Sequence, residues 1–150
     1  MSYIRNVELS DAEVLVEIYR PYVENTTISF ECETPSVDEF RSRIENISKK
    51  YPYIVMLEDD EIVGYAYAGR FKGRKAYDWC VETTIYVRED KKGGGYGKKL
   101  YLELEKRLKK QNILNMYACI AYTDNVDEHL TNNSMQFHEH MGFRLIGTFK

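Results

Sequence analysis

The chain is short of most of the residues that would assign it to a special class. It has only three cysteines among 150 residues, Cys32, Cys80 and Cys119, odd in number, far apart and without C-x-x-C spacing. That excludes a disulfide framework and gives no zinc-ligand pattern. Only three prolines are present, with no proline-rich linker, low-complexity tract or internal repeat, so one element is expected to follow another closely in a single domain over residues 1–150. No apolar run approaches the roughly 20 residues of a membrane span. The opening "MSYIRNVELSD" has neither the apolar core nor the small-residue cleavage site of a secretory signal. A cytoplasmic protein without membrane contact is therefore expected. Positive charge is not in excess either: a net charge of -3 is the wrong sign for a general nucleic-acid binder, so any basic patch has to be local.

What the chain does have is enough apolar residues for a core, 43% hydrophobic against 30% charged, together with thirteen tyrosines. Residues 3–7 read as a strand. Ser10-Asp11-Ala12-Glu13 reads as a capping box opening a helix with Val14, Leu15, Ile18, Tyr19 and Tyr22 on its apolar face, which Pro21 is expected to kink or end. Ser36-Val37-Asp38-Glu39 repeats the capping pattern ahead of Phe40, Ile44 and Ile47. A hairpin turning at Asp59-Asp60 and a further strand, "YDWCVETTIYV", make residues 53–88 antiparallel. Leu100, Tyr101, Leu104 and Leu108 then mark a helix ending near Asn112, and "ILNMYACIAY" reads as a strand covered on both faces. Strand, glycine turn, helix and strand in succession imply parallel pairing. Residues 130–141 read as a last helix, capped by Gly142, before a closing strand "FRLIGTFK". The expected class is α/β with a mixed sheet, in the order βααββ, βαβ, αβ.

The stretch "KKGGGYGKKL", residues 91–100, lies between a strand and a helix. It is either a slack loop with solvated lysines or a backbone cradle for a phosphate, since bare amides at a helix N-terminus attract anions. The P-loop pattern fails, because Lys92 stands five before Gly97 and Lys99 follows Lys98. The dinucleotide pattern G-x-G-x-x-G fails because Lys98 stands where its last glycine is needed. Over Lys92 to Gly97 the chain instead resembles R/Q-x-x-G-x-G/A, the pyrophosphate-cradling motif of the GNAT superfamily of N-acetyltransferases, with Lys92 in the first position. "AYDWCVETTIYV", "TISFECETP" and "NNSMQFHEHMGF" resemble its phosphinothricin and methionine sulfone acetyltransferase branch. The element order is similar to that family over all 150 residues, except that the family continues into a final strand which this chain lacks.

Period-two counting through "WCVETTIYV" puts Cys80, Glu82, Thr84 and Tyr86 on one strand face and Trp79, Val81, Thr83, Ile85 and Val87 on the other. From the residues alone, Glu82 is either an ordinary glutamate on an open sheet face or a partly desolvated general base. The resemblance implies the second, with Glu82 in an Asp-Trp-x-x-Glu context. His138, a hydrogen-bonded or surface histidine on its own evidence, matches the branch's histidine that protonates the leaving thiolate or handles water for Glu82. The resemblance further implies acetyl-CoA as co-substrate, without a metal. It would be bound by Tyr86, Val87, Lys92, Gly93, Gly94, Gly95, Tyr96, Gly97, Lys98, Asn133 and Ser134, with Thr131 where many members carry asparagine. Phe30 resembles the substrate-pocket aromatic, and Lys72, Arg74 and Tyr77 lie just before the catalytic strand, where cations can hold the acid groups of an amino-acid-like amine. Without the resemblance, the same residues read as a core phenylalanine and a solvated hairpin tip. Two other readings stand beside acetylation of a small amine: an acetyltransferase for a protein N-terminus or polyamine, and a CoA-binding module that no longer catalyses. Absence of the final strand leads to an expected homodimer that covers the open edge.

Overall fold

The computed structural model describes residues 2–24, 33–70, 80–91, 94–111, 113 and 115–117. A sheet of five strands runs in the order β1 to β5: β1 (Ser2–Asn6), β2 (Tyr53–Glu58), β3 (Glu61–Arg70), β4 (Cys80–Val87) and β5 (Asn115–Tyr117). The first four are antiparallel and β5 is parallel to β4. Among the described residues three helices, α1 (Ala12–Glu24), α2 (Val37–Ser48) and α3 (Tyr96–Lys110), cover it. This is the expected mixed sheet in the expected order as far as β5; the segment 130–149 lies outside the described residues. Among those residues no helix is long and apolar enough to cross a membrane.

The β2–β3 hairpin turns at Asp59 and Asp60, with φ of 51° and 67°, the left-handed pair that matches strand twist in a two-residue turn. Ser36 caps α2 as expected, its hydroxyl accepting from the Glu39 amide at 3.1 Å. On α3 the four residues chosen by helical spacing, Leu100, Tyr101, Leu104 and Leu108, are all buried.

At α1 the structure corrects two expectations. Ser10 does not cap it. A 3-10 turn over Leu9–Asp11 comes first, and the Asp11 carboxylate accepts from the Glu8 amide at 2.8 Å. Asp11 is thereby placed to take both guanidinium nitrogens of Arg5, at 2.8 and 3.0 Å, tying β1 to the helix entrance. Val14 is 42% exposed, while Val16 and Val23 are buried, because the buried stripe runs Ala12, Leu15, Val16, Ile18, Tyr19, Tyr22, Val23, mostly at three- and four-residue steps. Pro21, expected to kink or end α1, does not end it. The helix continues to Glu24, its last turn held by burial of Tyr22 and Val23.

Candidate active site

Strand β4 pairs with β3 without a register shift, from Gly64 opposite Val87 to Arg70 opposite Val81. Side chains therefore alternate along it as period two requires. Odd positions face α3: Val81 and Thr83 are buried, and Ile85 and Val87 pack on the cluster of Leu100, Leu104 and Leu108. Even positions face α1 and α2. Tyr86 lies within ring contact of Tyr19 and Tyr22, both at 5.0 Å, and of Tyr65 at 5.7 Å. Thr84 is opposite Tyr67, which stacks on Tyr53 at 4.6 Å. Glu82 comes next, half-buried and opposite Gly69. A Cβ built on Gly69 would meet no atom of the described residues within 4 Å. The carboxylate thus stands at the end of a row of rings, beside a position that carries no side chain.

Burial keeps the phenols of this region protonated. It pushes Tyr53 and Tyr65 well above the ordinary tyrosine value, and nearby tyrosines add to the shift. Tyr22 is raised by burial and by the charge of Glu89. On the other face, burial raises Tyr101 against a smaller lowering by its bond with the Thr83 hydroxyl at 3.5 Å. These hydroxyls remain neutral across the physiological range.

The strand edge is defined by its backbone. The Arg88 amide donates to the Val63 carbonyl at 2.8 Å, and antiparallel pairing alternates, so the backbone groups of Tyr86, Thr84 and Glu82 turn into β3. Those of Val87 and Ile85 turn away from it. On that far side β5 pairs only with Cys80, Val81 and Glu82 among the described residues. The Val87 carbonyl accepts instead from the Tyr22 hydroxyl at 2.5 Å, across 65 positions of sequence.

Beyond β4 the chain makes a 3-10 turn over Glu89–Lys91 and enters α3 through Gly94 and Gly95. Gly95 is the N-cap with φ 80°, a left-handed conformation that suits glycine. It offers no side chain to the first-turn amides, and Tyr96, Gly97 and Lys98 add no acidic group there. Among the described residues the positive end of the helix thus has no side-chain cap, and it is flanked by exposed Lys98 and Lys99. Such an end can hold a phosphate through backbone N–H groups.

Of the residues singled out in the sequence, Glu82, Tyr86, Val87, Gly94, Gly95, Tyr96, Gly97 and Lys98 are described, and all belong to one strand, turn and helix. Phe30, Lys72, Arg74, Tyr77, Lys92, Gly93, Asn133, Ser134 and His138 lie outside the described residues. Sequence reasoning passed over Gly69 and the bond of Tyr22 to Val87. The lone glycine inside the strand pattern "YAYAGR" signalled a close approach or a deliberate gap. Helical spacing placed Tyr22 on the apolar face of α1, but nothing local signalled its bond to Val87.

The acetyltransferase (GNAT) domain model matches residues 4–150. The phosphinothricin N-acetyltransferase of Streptomyces viridochromogenes is 31% identical over 98% of this chain and 76% of its own length. An L-methionine sulfoximine/L-methionine sulfone acetyltransferase of Pseudomonas aeruginosa is 29% identical over 96% of this chain and 81% of its own. Among solved structures, a GNAT superfamily phosphinothricin acetyltransferase of Sinorhizobium meliloti in complex with AcCoA superposes with a TM-score of 0.87 at 33% identity, covering 97% of this chain and 76% of that one.

Proposed function

Because this chain belongs to the GNAT acetyltransferase family, we propose that it moves the acetyl group of acetyl-CoA to the primary amine of a small amino-acid-like substrate of the phosphinothricin, methionine sulfone or methionine sulfoximine type. The observation that carries this reading is that a single strand, turn and helix present both a half-buried carboxylate, Glu82, and an uncapped helix N-terminus at Gly95. One suits an amine, the other a pyrophosphate.

Acetyl-CoA supplies a thioester as acyl donor. The α3 amides and Lys98 hold its diphosphate, as a helix N-terminus holds any phosphate. The Val87 amide, on the side of β4 turned away from β3, donates to the thioester carbonyl and stabilises the oxygen that becomes negative on attack. Glu82 takes a proton from the substrate ammonium, directly or through water, leaving a nucleophilic amine. His138, or water, returns a proton to the departing thiolate. Lys72 and Arg74 hold the substrate's acid groups, and Phe30 and Tyr77 flank it; these four assignments, like those of Lys92, Gly93, Asn133 and Ser134 to acetyl-CoA, rest on the resemblance of the sequence.

Thiol release from acetyl-CoA tests the reading, with phosphinothricin, methionine sulfone, methionine sulfoximine, a polyamine and a peptide with a free N-terminus as acceptors. Turnover is expected with the first three. Preference for the polyamine or peptide would overturn the substrate class, and acetyl-CoA binding without turnover on any amine would leave a binding module.

A further inference from the structure

Tyr22 spans the two halves of the site. Its ring, 4% exposed, lies 5.0 Å from that of Tyr86 on the aromatic face, while its hydroxyl reaches over the edge of β4 to the Val87 carbonyl at 2.5 Å. In an extended strand the N–H and C=O of one residue point the same way. At Val87 both point away from β3, so the amide donor and the carbonyl acceptor lie side by side on the edge where the thioester is read above. An uncapped carbonyl there does two unhelpful things. It offers an acceptor with which an amide-bearing guest can pair out of register, and it sets a negative dipole end beside the oxygen on which negative charge develops. A phenol O–H on that carbonyl removes the acceptor and offsets the dipole.

From this geometry, and resting on the acetyltransferase reading, we infer that Tyr22 is a positioning residue for acyl transfer: by occupying the Val87 carbonyl, its hydroxyl leaves the edge of β4 at Val87 as a donor only, which fixes the acceptor carbonyl of the thioester. The ring clamp on Tyr86 holds the hydroxyl in place. Burial supports the role, since it keeps the phenol protonated and able to donate.

Tyr22→Phe keeps the ring and removes the bond. Loss of a direct oxyanion donor costs about 10²–10³ in kcat, and an indirect support should cost less, so a fall of about tenfold is expected. KM for the amine should stay within about twofold, because binding of the amine does not involve this bond. With acetyl-CoA labelled at the carbonyl carbon, the infrared band of the bound thioester should lie below its solution frequency in the parent and move back toward it in Tyr22→Phe. A lower melting temperature with kcat per folded molecule and the carbonyl band both unchanged would mean a purely structural role and overturn the inference. If Tyr22→Phe fails to fold, the parent decides by amide hydrogen exchange: acetyl-CoA should slow the Val87 amide and leave the Tyr86 amide, already in the ladder with β3, unaffected. A Val87 amide indifferent to acetyl-CoA overturns the inference. A parent that does not bind acetyl-CoA overturns the acetyltransferase reading and this inference together, whereas an active parent matched by Tyr22→Phe overturns the inference alone.

Discussion

The two faces of the sheet bury similar apolar bodies with different chemistry at their tips. Against α3 the contact is aliphatic: Leu100, Leu104 and Leu108 on the helix, Val81, Ala66 and Ala68 on the strands, with the Thr83–Tyr101 hydroxyl pair set among them. Against α1 and α2 it is aromatic, a run of rings from Tyr53 and Tyr67 through Tyr65 to Tyr86 and Tyr19, with Phe40 at its side. Leucine side chains end in methyl groups and can only fill space. They suit the mechanical task of seating α3 so that its N-terminal amides stay fixed beside the end of β4. Tyrosine is as stiff and bulky but carries a hydroxyl, so the same packing yields polar handles such as the one on Val87. On the proposed function, the amine would meet the face richer in hydroxyls, whereas the helix end proposed for the phosphate is seated mainly on leucines, with the Thr83–Tyr101 pair as a hydroxyl contact among them.

The comparison breaks most sharply if each face is damaged in turn. Glu82→Gln, at the end of the aromatic row, should cost about 10²–10⁴ in rate at neutral pH, about 3–5 kcal/mol of activation free energy, with partial recovery at high pH as free amine becomes available. Its melting temperature should stay near the parent's. Steady-state kinetics across pH checks this, and a variant within about twofold of the parent throughout would remove Glu82 from the mechanism. Leu104→Ala, fully buried on the aliphatic face, should do the reverse. It should lose about 3 kcal/mol of stability in urea denaturation while the kcat of the folded fraction changes little.

How far the sequence shows these two faces differs between them. The aliphatic face was legible because it is local: four residues at helical spacing in "GKKLYLELEKRLKK" identify the whole buried stripe of α3, and the glycines before it locate the turn. Alternation along β4 was legible for the same reason, since a strand without a bulge carries its pattern unbroken from Val81 to Val87. The aromatic face was not. Thirteen tyrosines can be counted, but the meeting of Tyr53, Tyr65 and Tyr86 depends on strand register, and that of Tyr22 with Val87 on how α1 lies across the sheet. At α1 itself the capping signal misled, because the Arg5–Asp11 pair uses the aspartate that a capping pattern assigned to the first turn. The residues expected around the substrate, Phe30, Lys72, Arg74 and Tyr77, fall outside the described residues, so for them the sequence remains the whole argument.

A smaller effect sharpens the comparison at the entrance of α1, where the aromatic face is pinned by charge. Burial pushes the Asp11 carboxyl upward, but the bonds from Arg5 and the Glu8 amide, with the Arg5 charge, outweigh it and leave the group below its ordinary value. A carboxyl whose folded value is depressed adds stability above its unfolded value, near about pH 4, and loses it as pH falls through the folded value. Asp11→Asn should therefore cost about 2 kcal/mol at neutral pH, less than a fully buried pair because Arg5 is about a third exposed. It should also flatten the fall in stability below about pH 4. Urea denaturation of both proteins over that range checks the slope as well as the offset. A variant with the parent's stability and the parent's slope would show that the ion pair does not hold this helix.

The smallest expected effect on stability, and the most informative for the phosphate side, is at Gly95. Its φ of 80° is costly for any residue with a Cβ, while the Cβ itself would meet no described atom within 4 Å. The penalty of Gly95→Ala is thus one of torsion rather than collision, about 1 kcal/mol. Asparagine enters the left-handed region more readily than alanine, so Gly95→Asn should recover part of that loss. The two variants separate strain from access. If the bare amides of α3 hold the diphosphate, both should weaken acetyl-CoA, because each places a side chain where a phosphate must approach the backbone. If the glycine serves only the turn, affinity should follow stability, and Gly95→Asn should bind nearly as well as the parent. Titration calorimetry alongside thermal melts distinguishes these outcomes, and a folded Gly95→Ala protein that binds acetyl-CoA as tightly as the parent would remove the cradle from this helix N-terminus.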